Sequence, residues 1–311
     1  MTGPTKGSMA GSMTGPTSAL RSLARLASFV ALVLAQAFCA NAGSASSGSG
    51  KPSSPAPSFE ADVTITSGPG ASATSFALRG RELTVVLPTA DDGAAAGVYR
   101  LRLDARDALP VSLTRLPERA SGPPPVAGMP AATFSVRDRG KTRTLAAALP
   151  SSDAQVGKAL AELARCEQAA RTHPVATLAL AVDPPSKGKV GQPRTVIVRA
   201  TVTGQRGAEI ELDASALVLE TTAEPKPATP GVTPLPPEWD VVSQSQKKPT
   251  PKVIRTGSTI KLPVVAVEEE SGPRYMRAAL QGQVLVRLPD GKRELSLHLS
   301  SKPVRGGAVN P

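Results

Sequence analysis

From residue 59 onward, hydrophobic and polar residues alternate in short runs that predict β-strands. In "FEADVTIT", Phe59, Ala61, Val63 and Ile65 alternate with polar residues, which is the pattern of a strand with one buried face. Further strands are predicted in "TSFAL", "RELTVVL" and "VYRLRLD", which follow glycine-containing turns. "ATFSVRDRGKTRTLAA" predicts a hairpin with residues 138–141 at its tip.

In "DAQVGKALAELARCEQAA" the spacing of apolar residues changes from that of a strand to that of a helix. Asp153 is a suitable N-cap, and Pro174 cannot continue a helix without losing a hydrogen bond. Residues 59–173 are therefore predicted to form an α+β domain of antiparallel strands with one C-terminal helix. The apolar positions of that helix recur at helical spacing and predict a buried stripe: Val156, Ala159, Leu163, Cys166 and Ala170.

After residue 173 the pattern is that of strands alone. Alternating segments run from "ATLALAV" to "QGQVLVRLPDGKRELSLHLS", with turn signals between them. We predict that residues 175–311 form an all-β, immunoglobulin-like sandwich with a proline-rich loop at 221–238. The boundary is predicted near 173–176, and each domain is expected to fold independently.

The first 42 residues have the pattern of a secretory signal peptide. Arg21 and Arg25 precede an apolar run over residues 26–40, which is short of the roughly twenty residues needed to span a bilayer. The sequence "ANA" then supplies a small-x-small step, which predicts cleavage between Ala42 and Gly43. The protein is thus expected to be exported to a periplasmic, extracellular or envelope-associated location.

Two alternatives to cleavage remain open, and both would keep the protein at a membrane. The apolar run could stay as a signal anchor, or Cys39 could carry a lipid, although the bulky Phe38 before it fits a lipidation site poorly. Residues 43–58 are rich in Ser, Gly and Pro and are predicted to be a disordered linker. The sequence "MTGPT" occurs at residues 1–5 and again at 13–17, which suggests that the chain starts at Met13 and that residues 1–12 are an over-extended start.

Charge does not identify a partner. The whole chain has 36 Lys and Arg against 25 Asp and Glu, and loss of Lys6, Arg21 and Arg25 with the signal lowers the net charge from +11 to +8. Such a charge can suit nucleic acid, but the basic residues are scattered and have no aromatic stacking platform beside them. We therefore expect a protein or envelope-surface partner and no nucleic acid.

The sequence contains few residues and no motif typical of a catalytic site. His173 and His298 are the two histidines, and no Gly-x-Ser-x-Gly, HExxH or P-loop motif occurs. Metal-ligand spacing of His and Cys is absent, and "VEEESG" at 267–272 is interpreted as a charged turn rather than a calcium site. Cys166 is interpreted as a core residue, with a reactive thiol as the alternative. We predict a non-enzymatic protein without a cofactor or metal.

Five residues are candidate partner contacts. Four basic side chains surround the predicted hairpin tip and could meet an acidic partner; the alternative is a solvated tip. Trp239 follows the proline-rich loop and is interpreted as core filler or as an exposed contact residue. The candidates are Arg137, Arg139, Lys141, Arg143 and Trp239.

Residues 59–172 resemble the emfourin-type family of protealysin inhibitors in the order of their parts. "VTITSGPGASATSFAL" resembles that family's opening strand, turn and second strand, "PPVAGMPAATFSVRDRGKTRTL" its hairpin, and "LPSSDAQVGKALAELA" its closing helix. The turn departs from the family because it reads "GPGASA" and lacks an aromatic residue. Residues 175–311 resemble a generic immunoglobulin-like module. The expected function is that of an exported bacterial cell-envelope binding protein, and the first resemblance implies the alternative, a secreted inhibitor of a thermolysin-like metalloprotease.

Overall fold

The computed structural model describes residues 59–68, 72–186, 188–223, 237–243, 249–272 and 274–306, and the backbone of 309–310. The predicted signal peptide and linker, with the cleavage site at Ala42 and Gly43, lie outside these residues, as does Cys39 and most of the predicted loop 221–238. None of the helices in the described ranges is long and apolar enough to cross a membrane.

The chain is mostly β. Within the described residues, two α-helices, α1 (Leu109–Thr114) and α2 (Ala154–Ala170), and a 3-10 turn (Ala214–Ala216) interrupt the strands. The strands are β1 (Glu60–Thr66), β2 (Thr74–Arg79), β3 (Glu82–Leu87), β4 (Thr89–Ala90), β5 (Ala96–Arg102), β6 (Ala131–Asp138), β7 (Lys141–Ala148), β8 (Pro174–Val182), β9 (Gly188–Lys189), β10 (Pro193–Gly204), β11 (Glu209–Asp213), β12 (Leu217–Ala223), β13 (Asp240–Val241), β14 (Pro251–Arg255), β15 (Thr259–Val267), β16 (Arg274–Leu288), β17 (Gly291–Ser300), β18 (Val304–Arg305) and β19 (Val309–Asn310).

Most of these strands lie in two sheets. The first is antiparallel, with the order β15-β10-β8-β5-β3-β2-β1-β6-β7. The second has the order β13-β12-β16-β11-β14, and β17 pairs with β16 and, in parallel, with β4. A short parallel pair, β9 and β19, stands apart. Two facing sheets agree with the predicted β-sandwich.

The first sheet is covered on opposite faces at its two ends. Neighbouring residues of a strand point to opposite faces, and in β5 Tyr99 packs in the core beneath α1 and α2, whereas Val98 packs in the core between the sheets. The helices therefore cover one face from β5 to β7. The second sheet covers the other face from β3, where Val86 packs against it, to β15, and β8 and β10 contribute Leu178 and Val198.

Three local predictions are confirmed. All five apolar positions predicted for α2 are buried, and Cys166 among them is 1% exposed. The Asp153 carboxylate caps α2 by accepting hydrogen bonds from the backbone N–H groups of Gln155 and Val156. The predicted hairpin is β6–β7, in which Asp138 pairs with Lys141.

Two features of the fold were not predicted. The short helix α1 forms in "LPVSLT", with its proline in the first turn, where no helical hydrogen bond is lost. Strand β8 begins at the predicted boundary and pairs with β5 on one side and β10 on the other, so residues 59–173 and 175–311 contribute to one sheet. Their independent folding remains a prediction.

Candidate binding surface

The face of β2, β1, β6 and β7 that points away from the helices forms a surface of short side chains. Alternation in each strand places apolar residues such as Val63 and Phe134 under the helices and polar residues on the other side. Most of these side chains are exposed and the remainder are half-buried. We call this surface the open face: Asp62, Thr64, Ser75, Ala77, Thr133, Ser135, Thr142, Thr144 and Ala146.

Strand register places hydroxyl groups side by side on the open face. Thr64 is paired with Ser75 on β2 and with Thr133 on β6. In the next row Ser135 lies opposite Thr144 on β7. Because paired strands lie about 4.8 Å apart, these hydroxyls form a flat array that a partner can approach closely. The outward Thr and Ser positions are visible in the sequence, but their alignment depends on the register.

A row of alternating charge borders the open face. Across β5, β3, β2, β1 and β6, paired positions carry opposite charges. Arg79 also donates both hydrogen bonds of a bidentate contact to Asp62, at 2.8 and 2.9 Å. The row ends with the positive charge of Arg137 on β6. In strand order its members are Arg102, Glu82, Arg79, Glu60 and Arg137.

The hairpin tip holds three exposed basic side chains, Arg137, Arg139 and Lys141, which we call the basic tip. Arg139 and Gly140 have φ values of +49° and +80°, as a tight two-residue hairpin turn requires. Within the described ranges the basic tip makes no ion pair, whereas many other arginines do. Asp138 is paired with Lys141 in the same turn and Glu60 lies opposite Arg137, so the tip carries an excess of positive charge with carboxylates nearby but not in ion-pair contact with it.

Arg143, the fourth basic residue predicted to contact a partner, faces the helix side of the sheet. Its guanidinium donates hydrogen bonds to the backbone carbonyls of Thr114, at 2.8 Å, and Leu116, at 3.2 Å. These carbonyls lie at and just after the C-terminal end of α1. Arg143 thus holds α1 against β7, and its charge is directed away from the open face.

Trp239 lies far along the chain from the hairpin, beside the second sheet. It is half-buried and belongs to neither hydrophobic core. The guanidinium carbon of Arg277 lies 4.0 Å from the centroid of its ring, and the same guanidinium donates from Nε to Glu220 at 2.7 Å. Trp239 therefore covers an ion pair through a cation–π contact.

Two glutamates of the acidic segment 267–272 pair with two different arginines. Glu268 is buried and accepts a 2.6 Å hydrogen bond from Arg194, and Glu270 pairs with Arg274. Arg274 lies in a cleft of about 580 Å³ that is also lined by Asp240. No group of three or more metal-ligating side chains occurs in the part of the chain that the structure describes.

The two histidines occupy separate places. His173 follows α2 and lines an open cleft of about 580 Å³ beside Arg100, whose guanidinium contacts Glu82 at 3.0 Å and Asp290 at 2.9 Å. The residues that line this cleft include no serine or cysteine. His298 lies in β17 opposite β4. Among the described residues, no hydrogen bond of a serine side chain involves either histidine.

Cys166 has the environment of a core residue. It is buried in the stripe of α2 and forms no disulfide. Burial raises the pKa of its thiol, because the apolar surroundings disfavour the thiolate, although the nearby Arg165 acts in the opposite direction. The thiolate is the reactive form, so this environment opposes nucleophilic chemistry at Cys166.

The chain matches no family model, and no curated protein or solved structure is significantly similar to it.

Proposed function

We propose that the protein is a non-enzymatic, exported protein of a bacterial cell envelope that binds a protein or surface partner. The observation that carries the proposal is the open face with its basic tip. In this sheet the helices cover one side and the second sheet covers the other side only as far as β3, so the outer strands expose a broad face of small side chains. The N-terminal pattern of a signal peptide supports export.

The chemistry of the surface favours an acidic partner. Short Thr, Ser and Ala side chains permit close approach and lose little conformational entropy on binding. The basic tip adds three positive charges at one end, where complementary carboxylates would speed association and fix orientation. In the same proposal, residues 59–173 act as an α+β binding domain and 175–311 as an immunoglobulin-like accessory domain. Neither domain needs a cofactor, a metal or nucleic acid for this role.

Site-specific photocrosslinking would test the proposal. A photoreactive amino acid at Thr133, on the open face, is expected to capture a partner from a cell-envelope extract of the native host. The matched control places it at Val253, an exposed residue on β14 at an edge of the second sheet. An adduct at both positions, or at neither, would contradict binding through the open face.

The alternative proposal is inhibition of a thermolysin-like metalloprotease by residues 59–173. It is supported by the order of strand, turn, strand, hairpin and helix within residues 59–173. Titration of thermolysin with the full chain tests it. Full proteolysis at a large molar excess of the protein would exclude this alternative.

A further inference from the structure

Among the strands that the structure describes, β7 forms the outer edge of the first sheet and has a strand partner, β6, on one side only. Leu149 donates a 2.9 Å backbone hydrogen bond to Pro130, which fixes the phase of the β6–β7 ladder. Donors and acceptors alternate along an antiparallel strand, so odd-numbered residues of β7 bond to β6 and even-numbered residues face outward. Within the described ranges, no hydrogen bond reaches the outward groups of Thr142, Thr144, Ala146 or Ala148.

Edge strands usually carry features that prevent pairing with another chain. Strand β15, at the opposite edge of the same sheet, contains Pro263 and is bridged by Ser243. Strand β14 begins with Pro251 at an edge of the second sheet. Strand β7 has eight residues without an internal proline or bulge. Of its two charged residues, Lys141 stands at the first position, beside the turn, and Arg143 is hydrogen-bonded to α1.

Charge along the β7 edge is one-sided. The basic tip lies at the start of the strand, and its second half is "LAAA". The row of alternating charge ends at Arg137, next to Thr142 of β7. A carboxylate on an added strand, next to Thr142, would lie two strands from Arg137 and near the basic tip.

We infer that β7 is a docking edge that accepts an extended segment of a partner protein as a tenth strand of the sheet, with one or more carboxylates of that segment at the basic tip. The inference rests on the proposed function and names the chemistry of its partner. Backbone hydrogen bonds from the even-numbered residues of β7 would supply affinity, and the basic tip would select acidic segments.

The test uses the full chain and a fluorescent peptide whose eight residues match the length of β7. The peptide alternates Thr and Val and carries two Glu residues at one end, and it is made with the acidic end at either terminus. A matched peptide has Lys in place of Glu, and another is N-methylated at alternate residues. Fluorescence anisotropy is expected to show saturable binding of one acidic peptide and much weaker binding of the Lys and N-methyl peptides.

Two variants of Thr144 separate backbone from side-chain effects. Thr144→Pro removes an outward N–H without removing a bond to β6, so it is expected to weaken peptide binding about tenfold. Thr144→Ala keeps the N–H, so the loss of binding in Thr144→Pro beyond that in Thr144→Ala measures the contribution of the backbone hydrogen bond. Lys141 is exposed, and Lys141→Glu should weaken binding of the acidic peptide and strengthen binding of the Lys peptide. Circular dichroism of each variant confirms that it is folded.

Three outcomes would overturn the inference: equal binding of the acidic and Lys peptides, unchanged binding by folded Thr144→Pro, or a dimer of the chain that Thr144→Pro dissociates in sedimentation. The last would show that a second copy occupies the edge. If crosslinking at Thr133 succeeds and Thr144→Pro leaves it unchanged, the docking edge fails and the proposed function stands. If the peptide binds as expected and Thr133 captures nothing, the docking edge stands and the open face fails.

Discussion

The backbones of β5 and β8 approach so closely at Gly97 that a side chain does not fit there. Gly97 has a φ of +140°, and a Cβ atom would lie 2.3 Å from the carbonyl oxygen of Ala176 and 2.9 Å from the Cα of Thr177. The obstacle is backbone, which cannot rotate away as a side chain would. Gly97→Ala must therefore separate the strands at the point where the two halves of the chain join.

The expected cost follows from two contributions. An alanine held at this φ is strained by about 1–3 kcal/mol. Separation of the strands also weakens one or two cross-strand hydrogen bonds, at about 0.5–1.5 kcal/mol each. Together they predict a loss of about 2–6 kcal/mol, a large part of the 5–15 kcal/mol that stabilises a typical domain. Urea denaturation of the full chain, followed by circular dichroism, measures this loss.

Gly157 provides a control of opposite sign. It is an exposed residue within α2, and a Cβ atom there would meet nothing within 4 Å. Gly157→Ala is expected to stabilise the protein by up to about 1 kcal/mol, because alanine has the higher helix propensity. If Gly97→Ala cost less than about 1 kcal/mol in the same experiment, the close approach of β5 and β8 would be refuted.

Two further predictions concern a buried thiol and a hydrogen-bonded carboxylate. Cys166→Ala should cost about 1 kcal/mol and Cys166→Ser more, since a buried hydroxyl needs a partner; fast labelling of the native thiol, or a melting temperature that depends on reductant, would contradict this. The pKa of Asp213 is lowered from 3.8 because its carboxylate accepts hydrogen bonds from the backbone N–H groups of Thr250 and Ser215. The ionised carboxylate therefore stabilises the folded protein fully above pH 3.8, and this stabilisation is lost as the pH falls through the lowered pKa. The melting temperature should accordingly fall more steeply in wild type than in Asp213→Asn as the pH falls below about 4, and parallel curves would disprove the contribution.

Elements with a strong local pattern were predictable from the sequence. The apolar stripe of α2, its cap at Asp153 and the turn at residues 138–141 all depend on residues close together in the chain. Arg143 shows the limit of such reasoning. Its position beside the hairpin tip suggested an exposed contact, but strand alternation turns it toward α1, a helix too short to give a clear helical period.

The open face and the docking edge could not be predicted, because both depend on which faces and edges other elements cover. Alternation in β1 and β6 shows that each strand has a polar side, but not whether a second layer lies over it. Whether a second layer covers a strand depends on β5, where Val98 and Tyr99 point into different cores, and on β8, which continues the sheet past the predicted boundary. The second sheet packs against β8 and β10 and leaves the outer strands uncovered on that side, so the surface proposed to bind a partner depends on how the two halves share one sheet.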